Sequence, residues 1–305
     1  MRILHNLDFD FMAYRKQAYI FSLILTGIAI FSLVFRGLAV GIDFKGGKEM
    51  VIGVSGTVDV NRIKATLAPV LGSEVEVKAY GGSDILVRSA ATEGNASQEA
   101  ATLAAINKLY PAAKAKMVGS DVVGPRFAED MRQAGIYSVV AALIMIFVYI
   151  LIRFYSYGGW QFGVGALVAT FHDVTITLGL FSLLTGILPI PLQIDQTIIA
   201  AFLTIVGYSV NDTVIVFDRV REYMHDLKSE TFYNIMNKAM NSTLSRTIIT
   251  SMTTLFSAIV LFLFGGETIR GFAFAMSVGI LFGTYSSVYV ASAMVLDLKL
   301  RKSAK

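Results

Sequence analysis

The sequence predicts a polytopic α-helical membrane protein, six transmembrane helices with one folded α+β domain inserted between the first and the second. Three observations carry this. Of 305 residues, 55% are hydrophobic and only 16% charged, where a soluble domain of this length carries about a quarter. The charges crowd into the first nineteen residues, a block near 36–133, a stretch near 218–246 and the tail. Between them run six apolar segments, each near the ~20 residues that cross ~30 Å of hydrocarbon.

The N-terminal segment, 1–18, includes Asp8 and Asp10. A cleaved signal has a short basic n-region, so the first apolar run, 19–38, is expected to remain as a span. Five more spans follow over 134–152, 160–184, 195–217, 245–265 and 268–295, and the last is long enough to tilt or protrude. Lysine and arginine beside short connections set the orientation. Arg2, Arg15 and Lys16 precede the first span, and Arg153 sits between the second and third. Arg219, Arg221, Lys228, Lys238 and Arg246 occupy the fourth-to-fifth connection, and Lys299, Arg301, Lys302 and Lys305 close the chain in a tail over 296–305. The short loops near 185–194 and 265–269 carry neither residue type. Both termini are therefore expected in the cytoplasm and the block 39–133 outside it. In the connection 218–244, Phe232, Ile235, Met236, Ala239 and Met240 recur at helical spacing. That pattern predicts an amphipathic helix lying on the cytoplasmic membrane surface.

The extracytoplasmic block reads as alternating strands and helices. Met50 to Val54 forms a strand and Val60 to Val70 a helix. Glu74 to Tyr80 and Asp84 to Ser89 are strands separated by Gly81-Gly82, a hairpin signal. Ala96 to Leu109 is a second helix and Ala115 to Val123 a last strand. The order β-α-β-β-α-β is the ferredoxin-like arrangement. No acid–base pair or phosphate loop occurs in it, which favours a docking or sensing module over an enzyme.

Cysteine is absent, and His5, His172 and His225 are too scattered to suggest a metal centre. No basic run resembles a nucleic-acid patch. No cofactor is expected.

The informative residues are polar groups inside spans. Asp212 lies six residues inside Asp218 in the fourth span, about 9 Å deep at 1.5 Å per residue. An intramembrane charge costs ~2.5–3.5 kcal/mol even on the lenient insertion scale. A carboxylate held between desolvation and a cation can bind and release a proton near neutral pH. Tyr208, Ser209, Asn211 and Thr213 surround it in sequence. The bland alternative is an aspartate that only bonds neighbouring helices or snorkels. Arg246 opens the fifth span on the same membrane side, followed by Thr250, Thr254 and Ser257 on one face, with Thr247 beside it. Antiparallel packing of these spans lets Arg246 reach toward Asp212, and its alternative is an anchor at the membrane edge. His172 and Asp173 point about 100° apart on a helix and are not expected to face each other. They read as a structural hydrogen bond across helices or a proton relay. Asp43, Phe44, Gly46 and Gly47 follow the first span and shape a tight junction with the outside domain. Gly279 and Gly283 form a GxxxG pair, suited to close packing and, as one use, to a partner.

Three segments resemble one family. The run Val206-Gly207-Tyr208-Ser209-Val210-Asn211-Asp212-Thr213-Val214-Ile215-Val216-Phe217-Asp218-Arg219 is similar to the fourth-helix signature of SecF-like members of the SecD/SecF family, within the resistance–nodulation–division superfamily. Thr243-Leu244-Ser245-Arg246-Thr247-Ile248-Ile249-Thr250-Ser251 matches its fifth helix. Gly41-Ile42-Asp43-Phe44-Lys45-Gly46-Gly47 and Phe171-His172-Asp173-Val174 fit as well. The resemblance spans essentially the whole chain. It implies an inner-membrane accessory of the Sec translocase that uses the proton gradient in late steps of protein export, with Asp212 and Arg246 both needed. It implies as partners a SecD-like subunit, the SecYEG translocon, a small accessory membrane subunit, the unfolded exported polypeptide and membrane lipid. A half-transporter of lipids or hydrophobic small molecules and a passive scaffold are the competing functions.

Overall fold

The computed structural model describes residues 8–56, 58–72, 75–80, 84–89, 95–188, 190 and 192–303. Gly81-Gly82, His5 and Arg2 lie outside them. Among the described residues are six helices long and apolar enough to cross a membrane.

A 3-10 turn, Phe11–Tyr14, leads into α1, Arg15–Arg36. A one-turn helix α2, Ile42–Lys45, joins it to the inserted domain. That domain runs β1 Gly47–Gly53, α3 Val60–Leu71, β2 Glu76–Tyr80, β3 Asp84–Ser89, α4 Asn95–Leu109 and β4 Lys116–Val123. The sheet order is β2-β3-β1-β4, with each neighbouring pair antiparallel. This is the ferredoxin-like topology expected from the element order. Two β-α-β crossovers put both helices on one face, and Met50, Ile52, Val77, Ile85 and Val87 meet Ile63, Leu67 and Ile106 beneath them. Gly47 enters β1 at φ 136°, where an added Cβ would sit 2.7 Å from the Ser89 carbonyl oxygen. Only glycine accommodates both the dihedral and the approach.

The bundle continues with α5 Pro125–Arg153, α6 Gly159–Leu184, α7 Gln196–Asp226 and α8 Phe232–Phe264. The last span is α9 Glu267–Ser286, a π turn Ser287–Ala291 and α10 Ser292–Ser303. α6, α7 and the last span form the centre, while α1, α5 and α8 expose most of their apolar surface. Helices extend beyond the apolar runs. α5 begins nine residues before the expected 134, with Pro125 at its first turn, where the missing N–H costs nothing.

One expectation is corrected, and the close packing expected of the glycine pair is found within the chain. The segment holding Phe232, Ile235, Met236, Ala239 and Met240 is not a separate surface helix. It is the first turns of α8, and Ile235, Met236, Ala239 and Met240 are buried against Phe11, Met12 and Phe217. The apolar stripe covers protein rather than lipid. The Gly279–Gly283 pair is turned inward. Cβ atoms there would meet Ile205 at 2.5 Å and Ser209 at 3.1 Å, so these glycines let α9 close on α7 within the chain.

Candidate functional site

The site is built on the middle of α7. Asp195 caps this helix, its Oδ1 accepting from Ile198 N at 2.8 Å. Asp43 Oδ2 accepts from Gln196 N at 3.0 Å, so the junction motif tethers the inserted domain to the first turn of α7. The link is reinforced by Gly41 N donating to Ile194 O at 2.9 Å and Ile194 N donating to Ala39 O at 2.8 Å. Phe44 packs beside Gly135 and Ile199.

Sixteen residues beyond Gln196, about 24 Å along the helix, Asp212 is buried at 1% exposure. Ser251 Oγ of α8 donates to its Oδ2 at 3.2 Å, and Thr284 Oγ1 of α9 donates to Ser251 Oγ at 2.7 Å. Two helices thus supply a hydroxyl chain to one carboxylate. Arg246 sits five residues before Ser251 on α8, with its side chain exposed. It makes no direct ion pair with Asp212 but lies near enough for its charge to act on that carboxylate. An exposed guanidinium stays protonated at any physiological pH.

The flank of α7 one turn away holds a second network. Ser209 Oγ and Ser286 Oγ both donate to Asp173 Oδ2, at 2.6 and 2.7 Å. His172 Nδ1 lies 2.9 Å from Asp173 Oδ1. This corrects the expectation that these adjacent residues cannot pair. Their Cβ atoms do diverge by a residue's turn, but Nδ1 is close to the ring's root and the imidazole folds back over the shorter carboxylate. Thr213 and Ser287 share a hydrogen bond of 2.9 Å, and Ser287 also donates to Ser209 O at 3.3 Å.

The remaining expected residues divide. Tyr208 is half-buried with its hydroxyl unpartnered, and Asn211 is exposed. Thr247 is buried without a hydrogen-bond partner for its hydroxyl. Thr250 and Thr254 donate to carbonyls of their own helix, at Arg246 and Thr250, and Ser257 to Thr253. The hydroxyl face read from Thr250, Thr254 and Ser257 therefore points away from Asp212, and the facing residue is Ser251. Sequence reasoning missed Ser251, Thr284, Ser286 and Ser287 as partners. The signal was present as hydroxyls gathered in the middle of an otherwise apolar last span. Outside the bundle centre, Asp218 is held by Arg153 at 3.0 Å and Arg221 at 3.8 Å.

A buried carboxylate with a hydroxyl chain and a nearby fixed cation can exchange a proton without any covalent step. Known proteins are similar to this chain in sequence and fold. Residues 103–301 match the family model described as protein export membrane protein SecD/SecF, C-terminal. The chain is 54% identical over 306 aligned positions to the protein translocase subunit SecF of Rhodothermus marinus, covering 100% of this chain and 98% of that one. It is 37% identical to the SecF subunit of Vibrio alginolyticus, over 96% and 90% of the two chains. Among solved structures, SecDF, a translocon-associated membrane protein from Thermus thermophilus, superposes with a TM-score of 0.85 at 33% identity. The match takes in 98% of this chain but 40% of that one. A SecDF structure in a super-membrane-facing form matches at 0.72, again over 40% of its length.

Proposed function

The chain belongs to the SecF group of the SecD/SecF protein-export membrane proteins, and on that premise we propose that it is a proton-coupled accessory of the Sec translocase. Asp212 carries the proton, and the positive charge of Arg246 tunes it. The observation that carries this reading is the carboxylate itself, buried mid-span and served by hydroxyls from α8 and α9. A scaffold gains nothing from so costly a residue. One charge crossing 100 mV supplies ~2.3 kcal/mol, enough to shift a two-state equilibrium about fiftyfold. The inserted domain is bonded to the first turn of α7, the helix that bears Asp212. A change at Asp212 therefore has a direct mechanical route to the domain that holds the emerging polypeptide.

The orientation follows from basic residues: both termini in the cytoplasm, the inserted domain outside, in the bacterial inner membrane. A SecD-like chain supplies the rest of the bundle, in keeping with the 40% share of SecDF that this chain spans. SecYEG, a small accessory membrane subunit and unfolded clients complete the partners, and the work needs no enzyme chemistry or cofactor. The test is precursor accumulation in cells whose SecF-type subunit carries Asp212→Asn. Accumulation with normal membrane levels and a normal SecD-like complex is expected. Export at the wild-type rate sinks the proton-carrier role.

A further inference from the structure

The Asp212 reading leaves one buried carboxylate without a task. Asp173 is 1% exposed, and its oxygens face three donors: Ser209 Oγ, Ser286 Oγ and His172 Nδ1. His172 in turn holds Nε2 buried with no hydrogen-bond partner. A buried imidazole nitrogen left so is costly unless water meets it. The same ring lines a groove of about 670 Å³ between α1, α6 and α10, which reaches Asp297 and Arg301 at the end opposite the inserted domain. Polar groups continue along its wall. Tyr19 Oη donates to Asp297 Oδ2 at 3.0 Å, the Ser22 and Tyr285 hydroxyls lie 3.1 Å apart, and the Tyr285 ring is centred 6.2 Å from the imidazole.

We propose that His172 and Asp173 form a second proton site, loaded and emptied through this groove from the membrane side where Asp297 and Arg301 lie. The proposal rests on the proton-coupled reading but names a different carboxylate and a different route. A hydronium ion in the groove gives a proton to Nε2 and is left as water, while the Nδ1 proton passes to Asp173 Oδ1. The products are a neutral carboxylic acid and a neutral imidazole protonated on Nε2, and the reverse step returns the proton to water. No electron moves. Once neutral, Asp173 accepts more weakly from Ser209 and Ser286, loosening α7 and α9 from α6. Ser286 directly precedes the π turn, a distortion that recurs at functional sites. The titratable or charged groups around the site are His172 and Tyr285, with Tyr19, Arg15, Asp297 and Arg301 at the mouth.

The test is infrared difference spectroscopy of the purified full chain, titrated in detergent and followed in the protonated-carboxyl region. Two titrating stretches are expected, one lost in Asp212→Asn and the other in Asp173→Asn, each persisting in the other variant. His172→Phe should keep the Asp173 stretch and slow its hydrogen–deuterium exchange by about tenfold or more. If Asp173→Asn fails to fold, Ser286→Ala serves instead, shifting the frequency of that stretch without removing it. Absence of any stretch sensitive to Asp173→Asn or Ser286→Ala, at every pH where the chain stays folded, overturns the second site. Unchanged exchange in His172→Phe overturns the groove route. Loss of the Asp212-dependent stretch alone counts against the reading of Asp212 and leaves Asp173 as a separate site.

Discussion

Gly279→Ala perturbs the close contact of α7 with α9, the helix that supplies hydroxyls to both networks. The added Cβ would lie 2.5 Å from three side-chain atoms of Ile205, which is itself 1% exposed and has nowhere to retreat. Overpacking of this kind costs about 1–3 kcal/mol. Alanine in place of glycine returns about 0.5–1 kcal/mol within a helix, so a net loss of up to about 2.5 kcal/mol is expected by combining the two. Gly207→Ala is the matched control, because its Cβ meets nothing within 4 Å, and it should gain about 0.5–1 kcal/mol. Thermal or denaturant unfolding of the purified chain reads both, and Ile205→Val in the Gly279→Ala background should recover part of the loss. The shift of α9 should also weaken the Ser286–Asp173 and Ser287–Thr213 bonds, which lie about two turns further on. A Gly279→Ala chain as stable as Gly207→Ala would refute the inward packing of this glycine pair and reopen it as a partner surface.

Further outcomes follow from the same structure. Met236→Ala should cost about 2–5 kcal/mol in unfolding, since Met236 is fully buried beside Phe217; a near-neutral effect would restore a surface-lying helix there. Asp43→Ala should raise amide exchange in the first turn of α7, where its carboxylate accepts from Gln196 N, and Asp43→Asn should do so less. The Asp10 carboxylate, held below the ordinary aspartate value chiefly by the Tyr233 hydroxyl, stabilises the clasp of the N-terminal segment on α8. A depressed carboxylate contributes above its unfolded value and loses that contribution as pH falls through the folded one. The clasp should therefore open on acidification below the usual carboxylate range, seen as new reactivity of a cysteine placed at Met12, which is buried while the clasp is closed, and Tyr233→Phe should move the opening to higher pH. Cysteines introduced at Asn61 and Ser229, both exposed, should label from opposite membrane faces, Ser229 only after permeabilisation.

The spans were legible because the hydrocarbon core imposes a length and an apolar composition that few other structures share. The order of the inserted domain was legible from glycines and alternating strands. What escaped were features set by packing. The apolar stripe of Phe232 to Met240 has the same period whether it faces lipid or protein, and only the neighbouring Phe11, Met12 and Phe217 decide. Helix ends drifted outward because α5, α7 and α8 continue past the apolar run, where charge says nothing about backbone. Asp212 could be picked out from its cost, but not its partner. Ser251 and Thr250 are adjacent on α8, and one residue's rotation separates a hydroxyl facing Asp212 from one turned to its own backbone. The pairing of His172 with Asp173 was hidden by reasoning from Cβ direction alone, when the reach of a ring nitrogen decides it.

The central claim is that Asp212 exchanges the proton whose movement powers export. Inverted membrane vesicles carrying wild type or Asp212→Asn, with SecD-like partner and translocon present, can be assayed for translocation of a precursor with and without an imposed proton gradient. The expected result is a gradient-dependent increment in wild type that vanishes in Asp212→Asn, with gradient-independent translocation and complex assembly equal in the two. An Asp212→Asn increment equal to wild type would contradict it.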